Sequence, residues 1–213
     1  MKLNPLQERN ILNELEDSYQ YHVNTGGFSE PTRMKGSDKL ETWVITENFY
    51  PGWEKFLKLF DDKIYDTKKD KLMDYVFYTQ GEMEYPQTVD PELDFQTFIK
   101  KCLIESELPI TMGKCLKAWG LKYPPGSYSG MHCHQPGRQL SVVMFLDDVM
   151  VSEQYPLAGS LVTLQPFEHE INHVRVRPTP GGVVIMDGRV FHGTYPTLNN
   201  RRVFVCDFSY EVN

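Results

Sequence analysis

Two histidines separated by a single residue, His132 and His134, follow a turn rich in glycine and proline. A run of β-branched and aromatic residues comes directly after them, at positions 139–146. On a β-strand, residues i and i+2 point to the same face and lie about 6.5–7 Å apart. Two imidazoles placed in this way can converge on one ion, and imidazole is the commonest nitrogen ligand of metals in proteins. The spacing predicts that this stretch begins a metal site.

A third ligand must come from elsewhere in the chain, and His192 is the best candidate among the six histidines. Residues 180–191 before it have the pattern of a strand followed by a turn. In a β-sandwich, the strand that begins near His192 can lie beside the first pair and bring the three imidazoles to one open end. Taken alone, a single histidine is better explained as a strand-end residue that binds nothing, and the neighbouring pattern shifts the interpretation towards a ligand.

The chain also contains His169-Glu-Ile-Asn-His173, which has the H-E-x-x-H spacing of zinc proteases. That motif needs a helix, because only one helical turn brings both histidines to one face. Here Pro166 precedes the motif and alternating valine and arginine follow it at 174–177, a pattern typical of a strand. On a strand, residues i and i+4 lie about 13 Å apart and cannot share a metal. We therefore interpret the segment as a loop leading into a strand.

Composition limits the classes of function. The chain has 213 residues, 40% hydrophobic and 13% aromatic, which is enough for one domain with a real core. The net charge of −7, without any run of Lys and Arg, gives no electrostatic case for nucleic acid or an anionic membrane. An apolar leader, a membrane-spanning run and a disulfide framework are all lacking, so we expect a cytoplasmic protein with free thiols. Nothing in the sequence specifies an oligomeric state.

The elements that must position the histidines fall into two regions. Residues 1–113 read as a mixed helical support region, with helices over 1–20, over 53–60 and from Asp90-Pro91 to about Glu107, and with strands at 41–50 and 72–79. Residues 114–213 contain short β-type runs separated by Pro, Gly, Asn and Asp turns, at 114–123, 139–146, 160–164, 171–176, 183–186 and 202–208. This rhythm predicts a mainly β (α+β) protein, a jelly roll with an N-terminal support region in one compact domain.

The span from about 114 to 210 resembles the double-stranded β-helix core of the iron(II)- and 2-oxoglutarate-dependent dioxygenases, in particular their prolyl-hydroxylase-like branch. The family's order of motifs is present as Tyr123, Gly126, His132, the run 140–146, Ala158-Gly159-Ser160, Pro180-x-Gly182, His192 and Arg201-Arg202. The strand and helix at 43–60 also resemble the family's usual lead-in. Each motif is short, and their order and spacing carry the resemblance.

One residue departs from the family pattern. His134 stands where the family has its carboxylate ligand. With an imidazole there, the metal lacks one negative charge, and affinity for Zn, Ni or Cu should rise. Three-histidine iron sites are chemically reasonable, so oxygenase chemistry stays open. Halogenating members leave this ligand position to chloride, and a histidine would fill it, so halogenation is discounted.

The resemblance implies that His132, His134 and His192 bind Fe(II), with 2-oxoglutarate and O2 as co-substrates. It also implies a basic residue for the distal carboxylate of 2-oxoglutarate, and the planar fork of arginine suits that partner. Arg201 and Arg202 follow the last histidine by 9 and 10 positions. Strand alternation lets only one of the two point inward.

Between the two arginines, Arg202 is favoured slightly, because the turn from 196 to 202 has the commoner length for the family. Tyr123 or Tyr128 could add a phenol hydrogen bond to the same co-substrate, and core aromatics are an equally good interpretation of both. The implied activity is hydroxylation of an amino-acid, peptide or small-molecule C–H bond, with the substrate itself unspecified.

The alternative is a cupin-like or degenerate metal-binding β-sandwich with a three-histidine site and no 2-oxoglutarate chemistry. The spacing Gly126-x5-His132-x-His134 also matches the first half of the cupin signature. That signature next requires a glutamate, where this chain has Arg138 and Gln139. The helical front and the arginine after the distal histidine favour the dioxygenase resemblance.

Overall fold

The computed structural model describes residues 42–60, 93–134, 138–167 and 170–213, and the structural statements below concern those ranges. The predicted helix over 1–20, the strand at 72–79 and the helix start at Asp90-Pro91 lie outside them. Within the described ranges, no helix combines the length and apolar character needed to cross a membrane.

The described chain is built mainly from antiparallel strands. In chain order the elements are β1 (Val44–Phe49), a 3-10 helix (Trp53–Phe60), α1 (Leu93–Glu105), β2 (Ile110–Tyr123), β3 (Gln139–Phe145), β4 (Leu161–Phe167), β5 (Glu170–Val176), β6 (Gly182–Asp187), β7 (Phe191–Thr194) and β8 (Arg201–Val212). One sheet has five strands in the order β1-β6-β3-β8-β2, and the other has three in the order β5-β4-β7. The predicted mainly β fold class is confirmed.

The larger sheet is buried on both faces, which explains why β3 and β6 read as continuous apolar runs rather than as alternating ones. On its outer face, Phe204 packs against two aromatic rings from the helical elements, with centroids 4.6 Å from Phe56 and 6.0 Å from Phe95. The helical region therefore covers this face, as expected for a support region. The 53–60 segment forms a 3-10 helix, and α1 ends at Glu105, shortly before Glu107 takes a positive φ of 55°.

The inner face of the larger sheet carries a second apolar cluster that includes Leu161 of the smaller sheet. Along β8, Val203 and Val205 belong to this inner cluster, whereas the alternate residues Phe204 and Cys206 belong to the outer one. Side chains of a strand alternate between faces. The positions 201, 203, 205 and 207 therefore share the inner face of the sheet.

The helical front and the β-rich part of the chain share one sheet. β1 comes from the predicted support region and pairs with β6 at the edge of the larger sheet. The first strand of the β-rich part begins at Ile110, and its division from the front near residue 113 stays a prediction. The four cysteines are free thiols, two of them buried and two half-buried.

Candidate metal centre

Backbone hydrogen bonds hold the chain at the three histidines. His132 and His192 form an antiparallel bridge in which each backbone N–H donates to the carbonyl of the other, at 3.0 and 2.8 Å. The backbone N–H of His134 donates to the carbonyl of Gly188 in the turn after β6, at 2.9 Å. The connection between β2 and β3 and the start of β7 are therefore held together at the histidines, as the sequence predicted.

The imidazoles of His132, His134 and His192 converge. One ring nitrogen of each lies within 4.8 Å of those of the other two. The ring centroids are 5.6 Å apart for His132 and His134, 4.4 Å for His132 and His192, and 5.0 Å for His134 and His192. The structure thus brings together all three histidines that the sequence identified as metal ligands.

Each of the three rings is oriented through its Nδ1 atom. His132 Nδ1 lies 2.8 Å from the carbonyl of Gly130, and His192 Nδ1 lies 3.0 Å from that of Val190. A carbonyl oxygen only accepts hydrogen bonds, so Nδ1 is the donor and carries the proton in both rings. Nε2 is then the unprotonated nitrogen in both rings, and it is the atom through which such an imidazole can bind a metal.

His134 provides the test of whether a metal fits. Its Nδ1 lies 2.7 Å from Oδ1 of Asp207, while its Nε2 is buried and has no hydrogen-bond partner among the described residues. Leaving a buried polar atom unsatisfied costs free energy, so such an atom calls for an explanation. A divalent transition metal supplies one, because three neutral imidazoles suit Fe, Zn, Cu or Ni. The donor set therefore fits the metal that the resemblance implies.

Burial keeps the histidines in the protonation state that metals require. Desolvation, with a contribution from His134, lowers the pKa of His132 to about 4. Desolvation, with contributions from both neighbouring rings, lowers the pKa of His192 well below its ordinary value. A metal binds the neutral imidazole. Both rings are therefore ready for metal at neutral pH without first losing a proton.

Arg201 is the arginine that points inward. It is 1% exposed, and its guanidinium carbon lies 4.4 Å from the centre of the Tyr123 ring. One of its terminal nitrogens donates to the carbonyl of Gly159. Its Nε has no hydrogen-bond partner within the described ranges, and burial lowers the pKa of this guanidinium. A buried cation with an unused donor is a candidate anion site.

The preference for Arg202 as the inward-pointing arginine is wrong. Its Nε and a terminal nitrogen donate to the two carboxylate oxygens of Asp147, at 2.8 and 2.7 Å. Its backbone N–H also donates to that carboxylate. The register explains the difference, because Tyr123 on β2 pairs with Arg201, and alternation turns the next residue of β8 to the other face.

Both candidate tyrosines are buried. The Tyr123 hydroxyl lies 2.6 Å from Oγ of Ser129, and burial raises the pKa of this phenol. Tyr128 lies in the connection between β2 and His132 and is 7% exposed. Tyr123 is therefore the tyrosine placed against the inward-pointing arginine.

The H-E-x-x-H segment does not form a metal site in the described chain. From Glu170 onward it is strand β5, where His173 is exposed and pairs with Leu164 of β4. His169 lies outside the described residues. The strand setting predicted from the alternation at 174–177 is confirmed.

Asp207 was not among the candidates from the sequence. The signal that could have found it is periodicity, since it lies six positions after Arg201 on β8 and therefore on the same inner face. Its contact with His134 joins residues 73 positions apart. Periodicity therefore places Asp207 on the inner face but does not reveal that its partner is His134.

No protein-family model and no curated protein sequence matches the chain. Solved structures do match it. AviO1 from Streptomyces viridochromogenes Tue57 is similar with a TM-score of 0.50 and 18% identity, over 79% of this chain and 90% of that one. EvdMO1 is similar with a TM-score of 0.50 and 15% identity, over 79% of this chain and 47% of that one.

A prolyl-4-hydroxylase from Pseudomonas putida also matches, with a TM-score of 0.45 and 15% identity over 78% of this chain and 87% of that one. The two antiparallel sheets described above confirm the predicted jelly-roll type of fold. At identities this low the likeness concerns the fold alone, so the activity must be argued from the site.

Proposed function

We propose that the protein is an iron(II)- and 2-oxoglutarate-dependent oxygenase that hydroxylates a C–H bond of an amino acid, a peptide or a small molecule. The observation that carries the proposal is the convergence of three imidazoles on one buried point. His132, His134 and His192 would hold Fe(II). Arg201, on the inner face of the larger sheet, would bind the distal carboxylate of 2-oxoglutarate.

When bound, Fe(II) with 2-oxoglutarate and O2 supplies the oxidation: 2-oxoglutarate becomes succinate and carbon dioxide, and one oxygen atom enters a substrate C–H bond. The protein supplies fixed ligands and a dry environment. Nδ1–H donation to the carbonyls of Gly130 and Val190 holds the rings of His132 and His192 in one tautomer. Outer partners of this kind fix ring orientation and raise the basicity of the ligand.

The distal carboxylate of 2-oxoglutarate would give the Arg201 guanidinium an anionic partner. A buried charge is costly unless it is paired. Among the residues that the structure describes, this guanidinium contacts a carbonyl and an aromatic ring rather than an anion. A carboxylate can accept two parallel hydrogen bonds from a guanidinium, which gives both affinity and orientation. The Tyr123 ring covers one face of the guanidinium and limits its rotation.

A second candidate is favoured by one specific observation: among the described residues, the cluster of metal ligands contains three imidazoles and no carboxylate. A three-imidazole site suits Zn, Ni or Cu at least as well as iron. The chain would then be a cupin-like or degenerate metal-binding β-sandwich without 2-oxoglutarate chemistry. Under this alternative, no co-substrate binds to the metal-loaded protein.

The deciding experiment loads the purified protein with Fe(II) under anaerobic conditions and titrates it with 2-oxoglutarate, following binding by calorimetry and by the visible absorption of the chelate. Air is then admitted and succinate is quantified. Saturable binding followed by succinate formation, even uncoupled from any substrate, supports the oxygenase. Metal binding without either response would overturn it and leave the metal-binding alternative.

A further inference from the structure

His134 differs from the other two histidines in the charge of its Nδ1 partner. The rings of His132 and His192 each face a neutral backbone carbonyl, whereas Nδ1 of His134 lies 2.7 Å from Oδ1 of Asp207. The side chains of this pair are 3% and 9% exposed. The histidine that replaces the expected carboxylate is therefore the one that contacts a carboxylate.

Asp207 has no lysine or arginine as an ion-pair partner in the part of the chain that the structure describes. Within the described ranges, its one ion-pair contact is with His134, and the nearest lysine in register, Lys117, lies over the Trp119 ring at 4.7 Å. Burying a carboxylate is costly unless a positive charge balances it. A neutral imidazole N–H balances it poorly. An imidazole that binds a divalent cation through Nε2 has a more positive Nδ1–H and balances it better.

We propose that Asp207 is the charge-compensating positioning residue of the metal centre. It holds His134 with the proton on Nδ1, aims the unpartnered Nε2 at the metal, and supplies through the imidazole the negative charge that a carboxylate ligand at position 134 would supply directly. The proposal rests on the metal site of the proposed function but requires neither 2-oxoglutarate nor O2.

The surroundings of the pair are suited to this role. The Trp119 ring lies beside the His134 ring, with centroids 5.9 Å apart and planes inclined by 30°. The backbone N–H of His134 is fixed by Gly188. With the backbone held and one face of the ring covered, the remaining freedom is rotation of the imidazole, and the contact with Asp207 fixes that rotation. Outer carboxylates that orient a ligating histidine typically contribute 10–100-fold to metal affinity.

The first test measures the dissociation constants of Zn(II) and Co(II) by competition with a chromophoric chelator, without 2-oxoglutarate. Asp207→Asn keeps the shape and an acceptor oxygen but removes the charge, and it should weaken binding by about 10–100-fold. Asp147→Asn is the matched control, because that carboxylate pairs with Arg202 instead of a histidine. Equal affinities for the Asp207→Asn variant and the wild type would overturn the proposal.

A double-mutant cycle separates compensation of charge from a merely structural role. In a His134→Asp background the ligand is itself a carboxylate, and Asp207 then adds a repulsive neighbour. In the His134→Asp background, Asp207→Asn should therefore leave metal affinity unchanged or raise it. In the wild-type background, the same substitution should lower metal affinity. An equal loss of affinity in both backgrounds would show a structural contribution only and would contradict the proposal.

A measurement on the unmutated chain keeps the proposal testable if the variants fold poorly. Nitrogen-15 chemical shifts of the histidine rings report which nitrogen carries the proton. We expect the Nδ1–H tautomer for His134 in the apo and Zn(II)-loaded protein, and an Nε2–H tautomer in the apo protein would overturn the assignment. If the metal-affinity and tautomer results are as expected but the metal-loaded protein does not bind 2-oxoglutarate, the oxygenase proposal is refuted and the role of Asp207 is not.

Discussion

The guanidinium of Arg201 lies over the ring of Tyr123, 4.4 Å from its centre, and both residues are almost fully buried. The two are register partners on β2 and β8, so the contact follows directly from the pairing of these strands. Few arginines are buried without a carboxylate, because the charge must be balanced. This relationship identifies a place where an anionic ligand would offset the cost of a buried positive charge.

Replacing that arginine should remove co-substrate binding without removing the metal. We expect Arg201→Ala to weaken 2-oxoglutarate binding to the Fe(II)-loaded protein by about 30-fold or more, as typical when one partner of a buried charge pair is lost. Arg202→Ala removes the partly exposed pair with Asp147 on the other face of the strand and should leave this affinity unchanged. The measurement is anaerobic calorimetry. An opposite ranking of the two variants would contradict the assignment.

The metal ligands can be separated from other histidines with a matched exposed control. His192→Ala removes one of the three converging nitrogens and should cost more metal affinity than the about 10–100-fold typical of an outer partner. His173→Ala changes an exposed histidine on β5 and should have no effect. Chelator competition with Zn(II) measures both. Similar affinities for the two variants would exclude His192 as a ligand.

The apo protein should lose stability as the solution becomes acidic. The unfolded chain takes up protons on its histidines near pH 6.5, whereas His132 in the folded protein has a pKa of about 4. The folded state therefore binds fewer protons in this interval, so the stabilisation is complete above pH 6.5 and is lost as the pH falls towards 4. His192, whose pKa is also lowered, should add to the effect.

Urea unfolding of the apo protein at about pH 7.5 and about pH 5 measures this difference in the free energy of unfolding. In His132→Asn the difference should shrink, while in the exposed-site control His173→Asn it should match the wild type. An unchanged pH dependence in His132→Asn would show that other groups cause the acid sensitivity.

The turn between β6 and β7 should matter for both stability and metal binding. Asp187 is fully buried, accepts two hydrogen bonds from the Arg189 side chain at 2.8 Å and accepts one from the Tyr210 hydroxyl at 2.9 Å. The same turn offers the carbonyls of Gly188 and Val190 to two of the histidines. Its geometry therefore controls two ligands at once.

We expect Asp187→Ala to lower the free energy of unfolding by about 3 kcal/mol, because the buried Tyr210 hydroxyl and the partly exposed Arg189 side chain both lose their acceptor, and to weaken Zn(II) binding. Tyr210→Phe removes a single hydrogen bond and should cost about 1–2 kcal/mol, with metal affinity retained. Thermal unfolding and chelator competition give the two readouts. Full metal affinity in a folded Asp187→Ala variant would rule out control of the ligands by this turn.

The sequence predicted the parts of the fold that local pattern determines. Short apolar runs between turn residues located the strands of both sheets, and the i, i+2 spacing identified His132 and His134. The setting of His173 was also predicted, because alternating valine and arginine at 174–177 are incompatible with a buried helix face. These signals all lie within a few residues of the features that they predict.

What the sequence did not predict depends on register between distant strands. Alternate residues of a strand point to opposite faces, so only one of Arg201 and Arg202 can point inward. The pairing of β8 with β2 decides which one does. The contact of Asp207 with His134 likewise depends on how β8 lies across the sheet. A shift of one residue in the register of β8 would turn Arg202 inward and move Asp207 away from His134. No local sequence pattern determines this register.

The backbone hydrogen bonds around the histidines are independent of the ligand side chains. His132 is held by the bridge to His192, and the backbone N–H of His134 is held by Gly188, whatever side chain either position carries. A different side chain at position 134 would therefore extend from the same backbone position towards the metal site. Under divergence or directed evolution, a single codon could exchange imidazole for carboxylate and change the preferred metal, while the surrounding loop keeps its path.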